Sequence, residues 1–478
     1  MSPPSILNYI ILLALALSLL ILYLKRLLSY WKRKGVPYLQ PTIPFGNIGN
    51  PIKKSFLGFL FKDFYDQFKR MGKPFGGIYS YVRPVFIPIE PDIIKTILVQ
   101  DFSSFQDRGF YYNEKDQPTS ASIFTVDGGR WWNLRTKLTS IFTSIKIQSM
   151  FKLMLDCGDN LEQHVKQLVE TGKPMKVSEC VRRLTTDIIG SCAFGIDCNS
   201  FEDTTFFNVL EKMYSDGTSF FMQTFCHALP DIARFLKIPL TPHKETNFII
   251  NSINEVLKFR AEKKFARKDF LQMLLEMVNK GDLDVVSLHG QCIIFFMAGH
   301  DTSASALTFS VFELARHQDI QEKLRKEITD VIAKYEGAIT YEGVQEMKYL
   351  EMVVSETLRL YPPAQVLKRK CASDFRLPNS NTIIEKGTLI FVPILGLHLD
   401  PDYFPDPFQF VPERFSKENI RNIEPYSYLP FGEGPRNCIG ERFGKLQVKI
   451  GLISLIKSYK LNLNRQVEPP MAYFSGAA

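Results

Sequence analysis

The chain has 478 residues, 45% of them hydrophobic and 39 of them Phe, ample for a large core and an apolar cavity. Its net charge is +8, yet no basic run is long or interleaved with aromatics, so nucleic acid is set aside as a partner; a membrane surface and an acidic protein partner suit the charge better. The eight cysteines form no Cys-x-x-Cys pair, which argues against zinc-ribbon and thioredoxin-like chemistry and fits reduced thiols in a cytosol-facing protein.

Ile6–Leu24 is almost wholly apolar, and as a helix it would span roughly 28 Å, close to a bilayer's hydrocarbon thickness. Positive charges follow it (Lys25, Arg26, Lys32, Arg33, Lys34) and no small-x-small cleavage site does, so residues 1–24 read as an uncleaved signal anchor with the rest in the cytosol. Pro37, Pro41 and Pro44 stiffen a basic, proline-rich linker over residues 25–50. Residues 51–478 read as one large domain, mainly α with a small β region. The strand candidates are GGIYSYVRPVFIPIE, Thr382–Ile384 and Thr388–Val392.

Several stretches place chemistry on helices. A helix begins near Gly129 with Trp131 and Arg135 on one face. TTDIIGSCAFGIDCNS (185–200) reads as an apolar helix ending in a turn, with Asp187 and its cysteines structural. The stretch 219–240 is aromatic, broken by prolines and basic at its end. Leu283–His317 is the longest apolar helical pattern, with MAGHDTSAS in its middle. Glycine in a helix costs about 1 kcal/mol, so Gly299 needs a reason, and a small Ala298–Gly299 patch can open a groove against a flat cofactor. Asp301 and Thr302 would then stand beside it; an N-cap is the plainer use of Asp-Thr-Ser, but the apolar pattern runs on through it. His300 reads as a polar residue on the opposite face rather than a metal ligand. Glu356 and Arg359 form an i, i+3 pair on a helix that Pro362–Pro363 ends, and PERF offers Arg414 as a second arginine for the same carboxylate.

FGEGPRNCIG, Phe431–Gly440, is the most constrained stretch. Cys438 can give a thiolate to a metal, and a position at a helix N-terminus favours that thiolate. Gly434 lets the loop pass close to a flat ligand, Arg436 places a fixed cation for an anionic group, and Gly440 lets the next helix lie tight against a cofactor. A single axial thiolate is the haem-thiolate arrangement. On the following helix Arg442, Lys445 and Lys449 make one basic stripe, a solvated face or a docking patch for an acidic protein partner.

These stretches, in this order over nearly the whole chain, resemble the cytochromes P-450, and in detail the insect microsomal members that handle plant toxins and insecticides. The resemblance implies the P-450 fold after an N-terminal transmembrane helix. It implies haem b (iron protoporphyrin IX) with Cys438 as axial ligand, framed by Phe431, Gly434, Arg436 and Gly440. Trp131 and Arg135 would hold a haem propionate, helped by Arg108, Arg369 and, more weakly, His398. Asp301 and Thr302 would be the acid–alcohol pair that steers protons to dioxygen, and Glu356, Arg359 and Arg414 a structural triad. The stretch 219–240 would roof the pocket and dip into the membrane. Phe124, Phe221, Ile294, Ala298, Thr302, Ala364 and Leu367 would line the pocket.

The implied enzyme is a monooxygenase of the endoplasmic reticulum membrane, its catalytic domain facing the cytosol. It would take electrons from NADPH through NADPH-cytochrome P-450 reductase, with a small b-type cytochrome as a second donor, and insert one oxygen atom into a lipophilic small molecule: a xenobiotic, or an endogenous lipid or hormone. Two rivals differ from it. A haem-thiolate isomerase or dehydratase would turn over peroxide without NADPH, and a non-catalytic haem protein would bind hydrophobic ligands without product. The end VEPPMAYFSGAA reads as shorter than the C-terminal hairpin that relatives bring to the substrate, so that contact is not among the expected ones.

Overall fold

The computed structural model describes residues 6–48, 57–215, 220–267 and 269–464; Phe221 is in helical backbone but its side chain, like the 465–478 end, lies outside what is described. The anchor helix, Ile6–Leu27, buries none of its residues and is long and apolar enough to cross a membrane. It runs three residues beyond the apolar stretch, because Lys25 and Arg26 suit the negative end of a helix.

The segment after it is not strung free. Trp31 is wholly buried, its indole N–H donating to Ile78 O at 2.9 Å and its amide to the Tyr79 hydroxyl at 3.0 Å. Leu39 N donates to Gly77 O (3.0 Å), and Gly77 N to Pro37 O (2.8 Å). The proline stretch is thereby laced to the sheet, which fixes where the anchor helix leaves the body.

Strands β1 (Phe75–Ser80) and β2 (Arg83–Pro88) form a hairpin; β3 is Leu367–Lys370, β4 Phe375–Arg376, β5 Ile383–Ile384 and β6 Leu389–Val392. The main sheet runs β1-β2-β6-β3, parallel only between β2 and β6; β4 and β5 form a separate two-stranded piece. The sequence pattern points to every strand except β3 and β4. The alternation of β3, LKRK, is masked by its cations, two of which are buried.

Helices make up the rest. The central helix, Val285–Arg316, runs unbroken for 32 residues. Asp284 caps it, accepting from Ser287 N at 2.7 Å, so the Asp-Thr-Ser of 301–303 is not a helix start. It packs on the helix Val177–Ile189, on the triad helix Lys348–Leu360 and on the cysteine helix Glu441–Ile456. Gly299 belongs to the first of these contacts. A Cβ there would lie 2.6 Å from Ile189 Cδ1, so this glycine lets two helices approach and does not open a groove for a cofactor, as its neighbour Ala298 had suggested.

Candidate functional site: a cysteine loop ringed by arginines

The cysteine loop is a tight backbone structure. Cys438 N donates to Phe431 O (2.8 Å), Asn437 N to Gly434 O (3.1 Å) and Gly432 N to Leu429 O (3.0 Å). Gly434 has φ +76°, and a Cβ there would sit 2.0 Å from the carbonyl oxygen of Leu98. Its missing side chain therefore makes room for protein backbone, not for a flat ligand, which corrects the role read from sequence. Gly440 is the N-cap of the cysteine helix, its carbonyl accepting from Gly444 N at 2.8 Å. A Cβ there would touch only Phe142, at 3.9 Å.

Cys438 alone among the cysteines is exposed. Protein still encloses it: desolvation raises its thiol above the ordinary value, while the Gly440 amide and the guanidiniums of Arg108 and Arg135 work the other way. The sulfur is therefore accessible while protein crowds round it.

Four arginines cluster on this side of the loop: Arg108 and Arg135 act on the thiol directly, and Arg436 and Arg369 neighbour Arg108. Arg135 donates to Asn437 O (2.9 Å) and Asn437 Oδ1 (2.7 Å), next to Cys438 in the chain. Arg436 is buried over the Trp131 ring at 4.5 Å, donating to Val126 O (2.6 Å) and Gln106 O, with Asp127 at 3.6 Å. Arg108 donates to Arg436 O (3.3 Å) and lies over Phe124 at 4.6 Å. Arg369 is wholly buried and donates from Nη1 to Lys368 O (2.9 Å); its Nε and Nη2, and Arg436 Nε, find no hydrogen-bond partner among the described residues. Burial first, and then the neighbouring cations, pull Arg108 down to about 10, Arg436 to about 9, and Arg369 well below its usual range.

Buried cations crowded together with orphaned N–H groups are costly unless an anion joins them. A dianionic flat ligand beside an accessible thiol satisfies both demands, so the donor set fits a haem whose two propionates meet these arginines and whose metal meets Cys438. Asn437, which orients Arg135, escaped the sequence reading; its only signal was its place beside the cysteine.

The central helix has an uncovered strip of its own. Ala298 and Thr302 are exposed in the middle of an otherwise buried helix, Ile294 is partly so, and the three are spaced by four residues. Thr302 Oγ1 donates to Ala298 O at 2.7 Å. Phe124, 40% exposed, stacks on Phe110 at 4.7 Å; its turn is tied to the central helix by Ile123 N, which donates to Gln291 Oε1 (2.9 Å). Ala364 is exposed, and Leu367 lies against Gly432 of the cysteine loop.

Asp301 is not free. Its carboxylate is paired with Arg182 at 2.6 Å, on the helix Val177–Ile189. His300 is wholly buried on the face away from Thr302, near Thr185 (3.0 Å), and among the described residues no cluster of metal-ligating side chains occurs.

The triad is assembled behind the loop. Glu356 takes two hydrogen bonds from Arg359 (2.7 and 2.8 Å) and one from Val411 N (2.9 Å), with Arg414 at 3.4 Å. Arg359 also donates to the carbonyls of His398, Pro407 and Gln409 (2.7–3.0 Å). His398 is a strut, not an anion-binding group. Its Nε2 accepts from Leu429 N at 2.8 Å, Nδ1 meets Arg359 O at 3.1 Å, and burial holds it neutral at about 3. The basic stripe is spent internally: Lys445 and Lys449 both pair with Glu351 (3.2 and 2.8 Å), and Lys449 is buried, leaving Arg442 exposed beside Ser144.

Residues 39–477 match the family model described as Cytochrome P450. The fruit fly Drosophila melanogaster protein "Probable cytochrome P450 6a23" is 37% identical over 478 aligned residues, covering 97% of this chain and 94% of the relative. "Cytochrome P450 6a2" of the same organism is 36% identical, covering 97% and 96%.

Proposed function

The chain belongs to the cytochrome P450 family, and from that premise we propose a membrane-anchored enzyme, driven by NADPH through a reductase, that oxidises lipophilic xenobiotics at the cytosolic face of the endoplasmic reticulum. The coarser activity, haem-dependent monooxygenation with a cysteine thiolate on the metal, is that of the family. The observation that carries the reading is the accessible Cys438 beside a cluster of four arginines, two of which, Arg369 and Arg436, keep buried donors without a partner among the described residues. Haem, when bound, supplies the redox chemistry that divides dioxygen between product and water.

The chain's own residues supply placement and charge. Cys438 provides the sulfur, and the Gly440 amide with Arg108 and Arg135 favours its anion. Arg108, Arg135, Arg369 and Arg436, with Trp131, hold the propionates, exchanging orphaned donors for charge-assisted bonds. Phe124, Ile294, Ala298, Ala364 and Leu367 offer an apolar wall that suits a lipophilic substrate; Phe221 stays a proposal from resemblance alone. Thr302 Oγ1 and the Asp301 carboxylate hand protons inward, which requires Asp301 to loosen its bond to Arg182.

Residues 1–24 serve as the anchor, 25–50 as a stiff connection and 51–478 as the catalytic domain. The helix Ile6–Leu27 supports this by its length and its apolar surface, none of which is buried. A small b-type cytochrome is a second electron donor. The test is reconstitution in vesicles with NADPH and reductase, offering a panel of lipophilic toxins under isotopically labelled dioxygen. One labelled oxygen atom in a product, absent without reductase, is expected. Peroxide-driven rearrangement without NADPH, or tight binding with no product, would contradict the proposal.

A further inference from the structure

We infer that Glu211 is a positioning residue for Asp301: it competes for Arg182, and so sets how readily the Asp301 carboxylate is released to carry a proton. This rests on the assignment of Asp301 and Thr302 to proton delivery.

One guanidinium serves two carboxylates. Arg182 gives Nη2 to Asp301 at 2.6 Å and Nη1 to Glu211 at 2.8 Å, on separate helices. Glu211 belongs to the helix Thr205–Ser215, which touches the central helix at further points. The Tyr214 hydroxyl donates to Met297 O at 2.5 Å, one turn before Asp301. His300 lies between them, its Nδ1 3.0 Å from Thr185 Oγ1 and its Nε2 3.4 Å from Arg182 Nη1 and 3.6 Å from Glu211. In either tautomer the ring ties the Arg182–Glu211 pair to the central helix, donating to the carboxylate or accepting from the guanidinium.

Packing alone does not ask for this cluster. Gly299, next to His300, already closes the central helix against Ile189, and a part-exposed ion pair such as Arg182–Glu211 adds little stability. The arrangement does divide a cation. With Glu211 charged, Arg182 has an alternative partner when Asp301 turns toward Thr302; with Glu211 neutral, all of its attraction falls on Asp301.

The test is Glu211→Gln in the full-length, haem-loaded enzyme with reductase, on an alkoxycoumarin probe that the wild type dealkylates. Product per NADPH should fall about threefold, the scale of a part-exposed ion pair, with hydrogen peroxide rising to match and a larger solvent deuterium effect on product formation. The ferrous–carbon monoxide band and the probe's spectral binding constant should not move. Should Glu211→Gln fail to give holoenzyme, Glu211→Asp, which keeps the charge but withdraws it, is expected to uncouple in the same direction. Unchanged coupling in a folded Glu211 variant overturns the inference. Asp301→Asn separates the two failures: if it uncouples while Glu211→Gln does not, only the positioning role falls; if Asp301→Asn stays coupled, the relay reading falls and this inference with it.

Discussion

Replacing Arg359 with alanine should remove most of the enzyme's capacity to fold as a haem protein, while replacing Arg414 should not. Arg359 and Glu356 are both wholly buried, and breaking such a pair from one side costs about 3–5 kcal/mol because the other charge stays behind. Arg359 also satisfies three carbonyls, of His398, Pro407 and Gln409, each worth about 1 kcal/mol. The total, about 6–8 kcal/mol, rivals the whole stability of an ordinary domain, about 5–15 kcal/mol. The damage would reach the site, because His398 links Arg359 O to Leu429 N, just before the cysteine loop. Arg414 meets Glu356 only at 3.4 Å, so Arg414→Ala leaves both Arg359 bonds on that carboxylate in place and should cost about 1.5–3 kcal/mol. Arg359→Lys, which keeps the charge but not the planar fork, should fall between. The assay is the yield of protein with a thiolate-type ferrous–carbon monoxide band, together with urea unfolding midpoints. Equal yields and midpoints for Arg359→Ala and Arg414→Ala would refute the reasoning.

Gly434→Ala should retain the overall fold but lose the thiolate band, since φ +76° and the Leu98 carbonyl at 2.0 Å from the new Cβ force the loop to move; normal holoprotein would contradict that. Arg369→Met should act with opposite signs: the apoprotein unfolds at higher urea, since an uncompensated buried cation is gone, while haem is lost faster to a scavenging apoglobin. Haem loss at the wild-type rate would count against the arginine ring. His398 should make the fold acid-labile. Its folded value of about 3 lies below the unfolded 6.5, so its contribution is intact above the unfolded value and is lost as pH falls from there toward 3. His398→Gln should flatten the pH dependence of the unfolding free energy in that window by up to about 1.4 kcal/mol per pH unit; an unaltered slope would refute a buried neutral ring.

What could be read from sequence was whatever neighbours in the chain share. The cysteine loop, the Trp131–Arg135 pair, the Glu356–Arg359 pair and the long apolar helix each sit within one short stretch, and the structure places each in the expected element. What escaped depends on partners far along the chain. Gly299 looked like room for a cofactor because Ile189, which fills that room, is more than a hundred positions away. Lys445 and Lys449 looked like an open stripe because nothing near them reveals Glu351. Arg182 and Glu211 carry no motif, and only packing brings them to Asp301. Trp31 in a stretch read as linker gave no sign that Tyr79 and Ile78 were waiting for it.

The most direct measurement is the difference spectrum of the reduced protein with and without carbon monoxide, for the wild type and for Cys438→Ala. A strongly red-shifted Soret band in the wild type, absent from the variant along with substrate oxidation, is the expected result. No such band in haem-loaded wild type, or oxidation that survives without Cys438, would contradict a thiolate-bound haem at this site.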